Sequence, residues 1–351
     1  MEYGIAFCVS CRIALGKLRR VTNIAGALKN QQPNVTLTLL ANSGPKGVLQ
    51  SLKKEEAALF DHIEYAVATE MTDRLQSMNV DVVVVDTMSP RNLHQVDASL
   101  CLILREVLPD ELGKFRLKQD RPWDLMILPH PQGHWMPDHD VIRAGRIEAV
   151  GWIYRKPDAV PEEQKKSENE QPMILITTGG GSGEDRGNDI RSDIAYLIAS
   201  VRQKLPIPVK VVEVVGPRDW KNKSITGVDE TLRPGPELHN VLSKANLVIS
   251  AAGYNTVLEL ACTDVPVLLV PVPRYTDDQE KRAQLWGERL GMRYAPNQKE
   301  LSVLWMAKIL ETRPRRPVVD IGPSGADRAA ALILELPKKR YEQKPKIEFR
   351  H

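Results

Sequence analysis

Short runs of β-branched and apolar residues recur along the chain at Tyr3–Cys8, Val35–Leu40, Val80–Val85, Leu100–Leu104, Leu125–Leu128, Met173–Thr177, Val209–Val215, Leu247–Ser250 and Val265–Val270. Each is apolar at successive positions rather than at alternate ones, which is the pattern of strands covered on both faces in a parallel sheet. Between the runs lie amphipathic segments such as Arg20–Asn30, Asp189–Lys204, Thr256–Cys262 and Asp278–Leu290, whose spacing predicts helices. Strand and helix in alternation predict an α/β chain of doubly wound sheets. The pattern breaks at Lys156–Pro172, a charged, proline-containing stretch without apolar periodicity that reads as a solvated connection. About five strands are expected before it and about four after it, enough for a Rossmann-like sheet in each half. The expected layout is an N-terminal domain over 1–150, a second domain over 151–322, a helix over 323–336 and a basic tail over 337–351.

Composition agrees with this division and excludes other classes. A length of 351 residues suggests about two domains, and 42% hydrophobic residues suffice for real cores. The net charge of +3 resides largely in the last fifteen residues, where Lys338, Lys339, Arg340, Lys344, Lys346 and Arg350 face only Glu342 and Glu348. The rest of the chain is close to neutral, so no nucleic-acid partner is expected. The tail reads first as a solvated terminus; attraction to an anionic membrane surface is the alternative, and it suits a lipid-linked acceptor. Four cysteines make no disulfide framework. Cys8 and Cys11 have C-x-x-C spacing, but no second pair or nearby histidine completes a zinc site. No apolar run approaches a membrane span. The start Met1-Glu2-Tyr3 lacks the basic region of a signal peptide, so a cytoplasmic protein is expected.

Three glycine-rich strand-to-helix turns are candidate ligand sites. The first ends in Gly16-Lys17 with Arg19 and Arg20 opening a helix. The second is Thr178-Gly179-Gly180-Gly181-Ser182-Gly183. The third is Ser250-Ala251-Ala252-Gly253-Tyr254-Asn255-Thr256, followed by Glu259. Such turns present backbone N–H groups at a helix start, where the dipole favours phosphate or carboxylate. The second and third lack the lysine of a P-loop and the spacing of a dinucleotide fingerprint. Glu259 lies within the first turns of its helix and suits the two hydroxyls of a ribose.

These residues carry a resemblance. Ser250–Glu259, then Pro266–Pro271, then Asp277-Asp278-Gln279 with Gly291 following, resemble the donor-binding half of family 28 glycosyltransferases, a group that includes the N-acetylglucosaminyltransferase that makes lipid II. Gly151-Trp152-Ile153-Tyr154-Arg155 is similar to the family's step between domains, and Gly179–Gly183 to its glycine turn. Ala14–Arg20, Val82–Asp86 and Leu104–Val107 resemble a less characterised branch of predicted glycosyltransferases. The chain departs from the family at Lys17 and Asp278, where histidine is usual, at Ala251, where arginine is usual, and at Ser10 and Cys11 in place of glycines.

The resemblance implies two Rossmann-like domains facing a cleft (GT-B) and an inverting, metal-independent transfer of a sugar from a nucleotide-sugar, a UDP-sugar, to an acceptor hydroxyl. It implies no cofactor. Donor-binding residues would be Arg155 and Gly179, Gly180, Gly181, Ser182 and Gly183 at the diphosphate, and Glu259 at the ribose, with Gly253, Asn255 and Thr256 in the same turn and Asp278 and Gln279 at the sugar. Lys17 stands where the acceptor base would be, which would require a strongly depressed pKa. Arg19, Arg20, Asp86, Arg105, His130 and His134 are the acceptor-side candidates, the acceptor being a lipid-linked or small molecule. His130, His134, Asp138, His139 and Asp140 also have metal-ligand chemistry, but the proline-broken segment reads better as a loop lining the site. Two alternatives stay open. One is a nucleotide-sugar hydrolase or epimerase on the same scaffold, and the other is a non-catalytic nucleotide-sugar-binding subunit.

Overall fold

A computed structural model describes residues 3–10, 16–42, 52–78, 80–155, 171–177, 188–215, 224–232, 241–273 and 277–343. The expected connection at 156–170, Cys11, the turn Gly179–Gly183 and the end of the basic tail lie outside them. The described chain forms two compact units, Met1–Tyr154 with Gly322–His351 and Arg155–Ile321.

The first unit holds β1 (Gly4–Val9), α1 (Gly16–Gln31), β2 (Thr36–Ala41), α2 (Lys54–Ala57), β3 (His62–Tyr65), α3 (Met71–Ser77), β4 (Val82–Asp86), β5 (Ser99–Ile103), β6 (Leu125–Leu128) and β7 (Ile147–Ala149). All its strands pair in parallel, in the order β3-β2-β1-β4-β5-β6-β7. The second unit holds β8 (Met173–Thr177), α4 (Asn188–Lys204), β9 (Lys210–Val214), β10 (Glu230–Leu232), β11 (Leu247–Ala251), α5 (Tyr254–Ala261), β12 (Val267–Val270), α6 (Gln279–Leu290), β13 (Gly291–Arg293) and α7 (Lys299–Thr312). Its sheet is again parallel, in the order β10-β9-β8-β11-β12-β13. The first six strands of one sheet and all six of the other therefore share the Rossmann order, with a switch point between β1 and β4 and another between β8 and β11.

Successive side chains of a strand point to opposite faces, and β1 shows the consequence. Ile5, Phe7 and Val9 enter one core with α1, while Ala6 and Cys8 enter the core on the opposite face. Both sets are fully buried, which is why the run carries no polar alternation. The strands that apolar runs did not predict are β3, β7, β10 and β13, which are the two edges of each sheet. None of their residues is fully buried.

The last helix, α8 (Ala326–Gln343), runs past the Leu336 that the pattern gave as its end. It belongs to the first unit, where Ala326, Ala329, Ala330 and Ile333 join the core that holds α1. Its entry is a tight backbone crossing. Gly325 N–H donates to the Trp152 carbonyl at 2.8 Å, and a Cβ built on Gly325 would stand 2.4 Å from the Val150 oxygen. Such overpacking against backbone, which cannot rotate away, costs about 1–3 kcal/mol. Gly325→Ala is expected to lower the thermal midpoint of the first unit by several degrees in a calorimetric scan. An unchanged midpoint would mean that α8 does not dock on Val150.

Candidate functional site

In parallel sheets ligands bind beyond the carboxyl ends of the strands at the switch point. In the second unit β8 ends there at Thr177, and its glycine turn Gly179–Gly183 lies outside the described residues. From β11 the chain passes through Ala252 and Gly253 into α5. Gly253 is the N-cap, extended at φ −66° and ψ 146°, and no side chain caps the helix start. Asn255, Thr256 and Glu259 are half-buried on the first turns of α5. Glu259 follows Asn255 by four positions, so the two share a helix face.

A buried network ties this turn to the one that follows β12. Arg282 on α6 is 5% exposed. Its Nη1 donates to the Ala252 carbonyl at 2.9 Å and its Nη2 to Asp277 Oδ1 at 2.8 Å. The guanidinium also lies 5.9 Å from the centre of the Tyr254 ring. Gln279 is equally buried. Its Oε1 accepts from Val272 N–H at 3.0 Å, and its Nε2 lies 3.5 Å from Asp277 Oδ2. Asp278 caps α6, its carboxylate accepting from Lys281 N–H at 3.0 Å. Asp278 and Gln279, expected at the sugar, thus each make a hydrogen bond to a backbone group in this fold. A helix start has donors that an aspartate satisfies well, and a buried amide must find partners. Arg155 is exposed at the first position of the second unit.

The equivalent edge of the first unit is built from ion pairs. Arg20 of α1 meets Asp86 at the end of β4 in a two-pronged contact, Nε to Oδ2 at 2.8 Å and Nη2 to Oδ1 at 2.7 Å. The two side chains are 1% and 0% exposed. Arg20 and Asp86, expected to face an acceptor, instead hold each other across the switch point. The next residue, Thr87, has φ 43°, a left-handed conformation that is strained for a β-branched side chain. Its N–H and hydroxyl both donate to the Ile103 carbonyl, at 2.9 and 3.1 Å, which holds it there. Lys17 Nζ in turn donates to the Thr87 carbonyl. Arg19 turns toward α2 and pairs with Glu56 at 2.7 Å, so it too serves the fold.

Past β5 and β6 the edge becomes aromatic. Arg105 Nη1 donates to the Glu106 carbonyl at 3.2 Å. His134 Nε2 lies 3.6 Å from Glu106 Oε2. The His134 ring lies 5.1 Å from His130 and 4.9 Å from Trp152, and Trp135 lies 6.0 Å from His130. Burial holds the His130 pKa below its ordinary value, so the ring is neutral. Asp138 Oδ1 accepts from Asp140 N–H at 2.8 Å, a local turn on an exposed segment. Among the described residues no three His, Cys, Asp or Glu side chains converge to hold a metal. Cys8 is buried and its thiol is pushed up to about 12, which makes it unreactive. A cavity of about 370 Å³ lies at the opposite, amino-terminal edge of the first sheet, lined by Ser99, Arg121, Asp124, Arg146 and Glu335. Arg121 there holds the carbonyls of His94, Val96 and Ala98, and Arg146 holds Glu148 and Glu335, so the cavity is a gap between structural contacts.

Sequence reasoning missed Thr87, Trp135, Trp152, Asp277 and Arg282 as parts of these edges. Asp277, Arg282, Trp135 and Trp152 stood inside segments already noticed, but nothing in the sequence shows which way their side chains turn.

Residues 159–313 match the glycosyltransferase family 28 C-terminal domain. A UDP-N-acetylglucosamine–N-acetylmuramyl-(pentapeptide) pyrophosphoryl-undecaprenol N-acetylglucosamine transferase of Verminephrobacter eiseniae is 27% identical over 151 residues, 42% of each chain. The match thus spans less than half the length of that relative. Among solved structures, Acinetobacter baumannii MurG aligns with a TM-score of 0.53 at 15% identity, covering 95% of this chain and 100% of that one. A candidate UDP-N-acetylglucosamine 2-epimerase from Listeria monocytogenes aligns with a TM-score of 0.60 at 14% identity, covering 97% of both chains. These structures share the fold of two Rossmann-like domains.

The buried pair gives a direct test of the first unit. Removing one partner of a buried ion pair leaves an uncompensated charge and costs about 3–5 kcal/mol. Asp86→Ala is expected to lower the unfolding free energy from denaturant titration by that amount, and the double change Arg20→Met with Asp86→Leu to recover most of it. A single variant as stable as the parent would contradict the pairing.

Proposed function

With a GT-B fold and a second unit that is family 28-like, we propose that this chain is a glycosyltransferase that moves a sugar from a UDP-sugar to an acceptor hydroxyl. The observation that carries the reading is the match of residues 159–313 to the glycosyltransferase family 28 C-terminal domain, with the turn from β11 into α5 at the β8/β11 switch point. The start of α5, whose N-cap Gly253 makes no side-chain cap hydrogen bond, is proposed to receive an anion. Glu259, half-buried one turn on, is the group that holds the ribose hydroxyls. Gly179–Gly183 and Arg155 face the diphosphate, a planar fork of donors suiting phosphate oxygens. Arg282 and Asp277 keep the two turns in register, and Asp278 and Gln279 at the start of α6 are the residues proposed at the sugar.

Transfer is a single displacement that inverts the anomeric carbon. Helix starts and basic side chains stabilise the departing UDP, so the reaction is metal-independent. The acceptor docks on the carboxyl edge of the first unit. A relative that acts on a pyrophosphoryl-undecaprenol substrate makes lipid-linked hydroxyls the first acceptor class to screen, with small molecules as the second. Among the described residues no helix is long and apolar enough to cross a membrane. The proposed site of action is the inner face of a membrane, reached by peripheral contact of the basic tail with anionic lipid. The contact of Lys17 with the Thr87 carbonyl favours a second reading, a non-catalytic nucleotide-sugar-binding subunit whose N-terminal half has lost its base.

Calorimetric titration with UDP, GDP, TDP and CDP tests the donor assignment. UDP is expected to bind selectively and with the same affinity with or without magnesium. Glu259→Ala is expected to lose about ten-fold or more, as befits hydrogen bonds to a charged group. Equal affinity of that variant would remove Glu259 from the ribose, and no nucleotide binding at all would remove the donor site.

A further inference from the structure

The transfer needs a group that takes a proton from the acceptor hydroxyl, and Lys17 is a donor to a backbone carbonyl in this fold. Another group on the same edge of the first sheet has the right surroundings. Glu106, three residues past the end of β5, is 8% exposed. Its carboxylate lies 3.6 Å from His134 Nε2, and the two side chains keep 10% and 21% of their surface exposed. The carboxylate is thus the more enclosed partner and the imidazole the one that solvent or substrate reaches.

The rest of the cluster fixes the ring. The His134 backbone N–H donates to the Pro131 carbonyl at 3.2 Å, fixing the loop, and its ring stands edge-on to Trp152. His130 is 1% exposed, with Nδ1 3.0 Å from the Pro131 carbonyl and with no hydrogen-bond partner at Nε2. Buried and neutral, it places no second positive charge beside His134. A carboxylate beside an imidazole in a poorly solvated place stabilises the cation formed on proton uptake.

Resting on the transferase reading, we infer that His134 is the general base of the reaction and Glu106 its positioning residue. The acceptor oxygen forms a bond to the anomeric carbon as the bond from that carbon to the β-phosphate oxygen breaks. The electron pair leaves on UDP, and the hydroxyl proton passes to His134 Nδ1, the nitrogen turned away from Glu106. With water as acceptor the products are UDP and the free sugar.

The test measures UDP release by the full chain from UDP-N-acetylglucosamine, UDP-glucose and UDP-galactose in water, alongside UDP titration. General bases contribute about 10²–10⁴-fold in rate. His134→Gln is expected to slow release at least about a hundred-fold while UDP affinity stays as in the parent. Glu106→Gln is expected to slow release at least about ten-fold with UDP affinity unchanged, and Glu106→Asp to restore most of the rate, a rescue that a merely structural residue would not show. A His134→Gln rate within a few-fold of the parent overturns the inference, as does a hundred-fold loss confined to Lys17→Ala. A parent that binds UDP yet releases none from any of the three sugars, in water or with added alkyl and sugar alcohols as acceptors, also overturns it, since the base would then act on no hydroxyl. A parent that fails to bind UDP brings down the donor reading itself, and this inference with it.

Discussion

Every strand in both sheets runs parallel to its neighbours, and that constraint organises the rest of the molecule. Parallel strands force each connection to return across a face, so all turns leaving the strands collect at one edge. Where the strand order reverses, between β1 and β4 and between β8 and β11, consecutive helices go to opposite faces and leave a crevice at that edge. The chemistry-bearing residues of both units gather there for this reason and not because the motifs are near one another in sequence.

The two edges are furnished differently. In the second unit the donors are main-chain groups at the start of α5, and side chains serve to fix the turns that carry them. Arg282 is the centre of that arrangement, spanning from the Ala252 carbonyl to Asp277. In the first unit the crevice is closed by a side-chain pair, Arg20 with Asp86, and the strained Thr87 beside it is pinned by two contacts to Ile103. The imidazole–carboxylate cluster beyond β5 and β6 adds titratable groups to this edge.

Much of the fold was legible in the sequence because central parallel strands bury both faces. Met173–Thr177 was placed to the residue, and Leu125–Leu128 likewise. The edge strands were not legible for the converse reason. His62–Tyr65 and Glu230–Leu232 have one neighbour each and keep polar residues, so no apolar run marks them. Helix α7 escaped notice because it is apolar over most of its circumference, with Leu301 and Leu304 exposed opposite its buried side. The candidate site was legible only at the level of which turns matter. Which way a side chain faces depends on partners distant in sequence, and Asp86 with Arg20 or Gln279 with Val272 illustrate it. A polar residue inside a motif reads as ligand-facing until its partner is known, and a buried one must have a partner.

The central claim is that a uridine nucleotide occupies the β8/β11 switch point of the second unit. Hydrogen exchange of the full chain with and without saturating UDP tests it most directly, since amides at a helix start that bind an anion exchange more slowly. The account predicts added protection over the peptides spanning Ser250–Glu259 and the segment joining β8 to α4. Protection absent from Ser250–Glu259, or confined to peptides of the first unit, would contradict it.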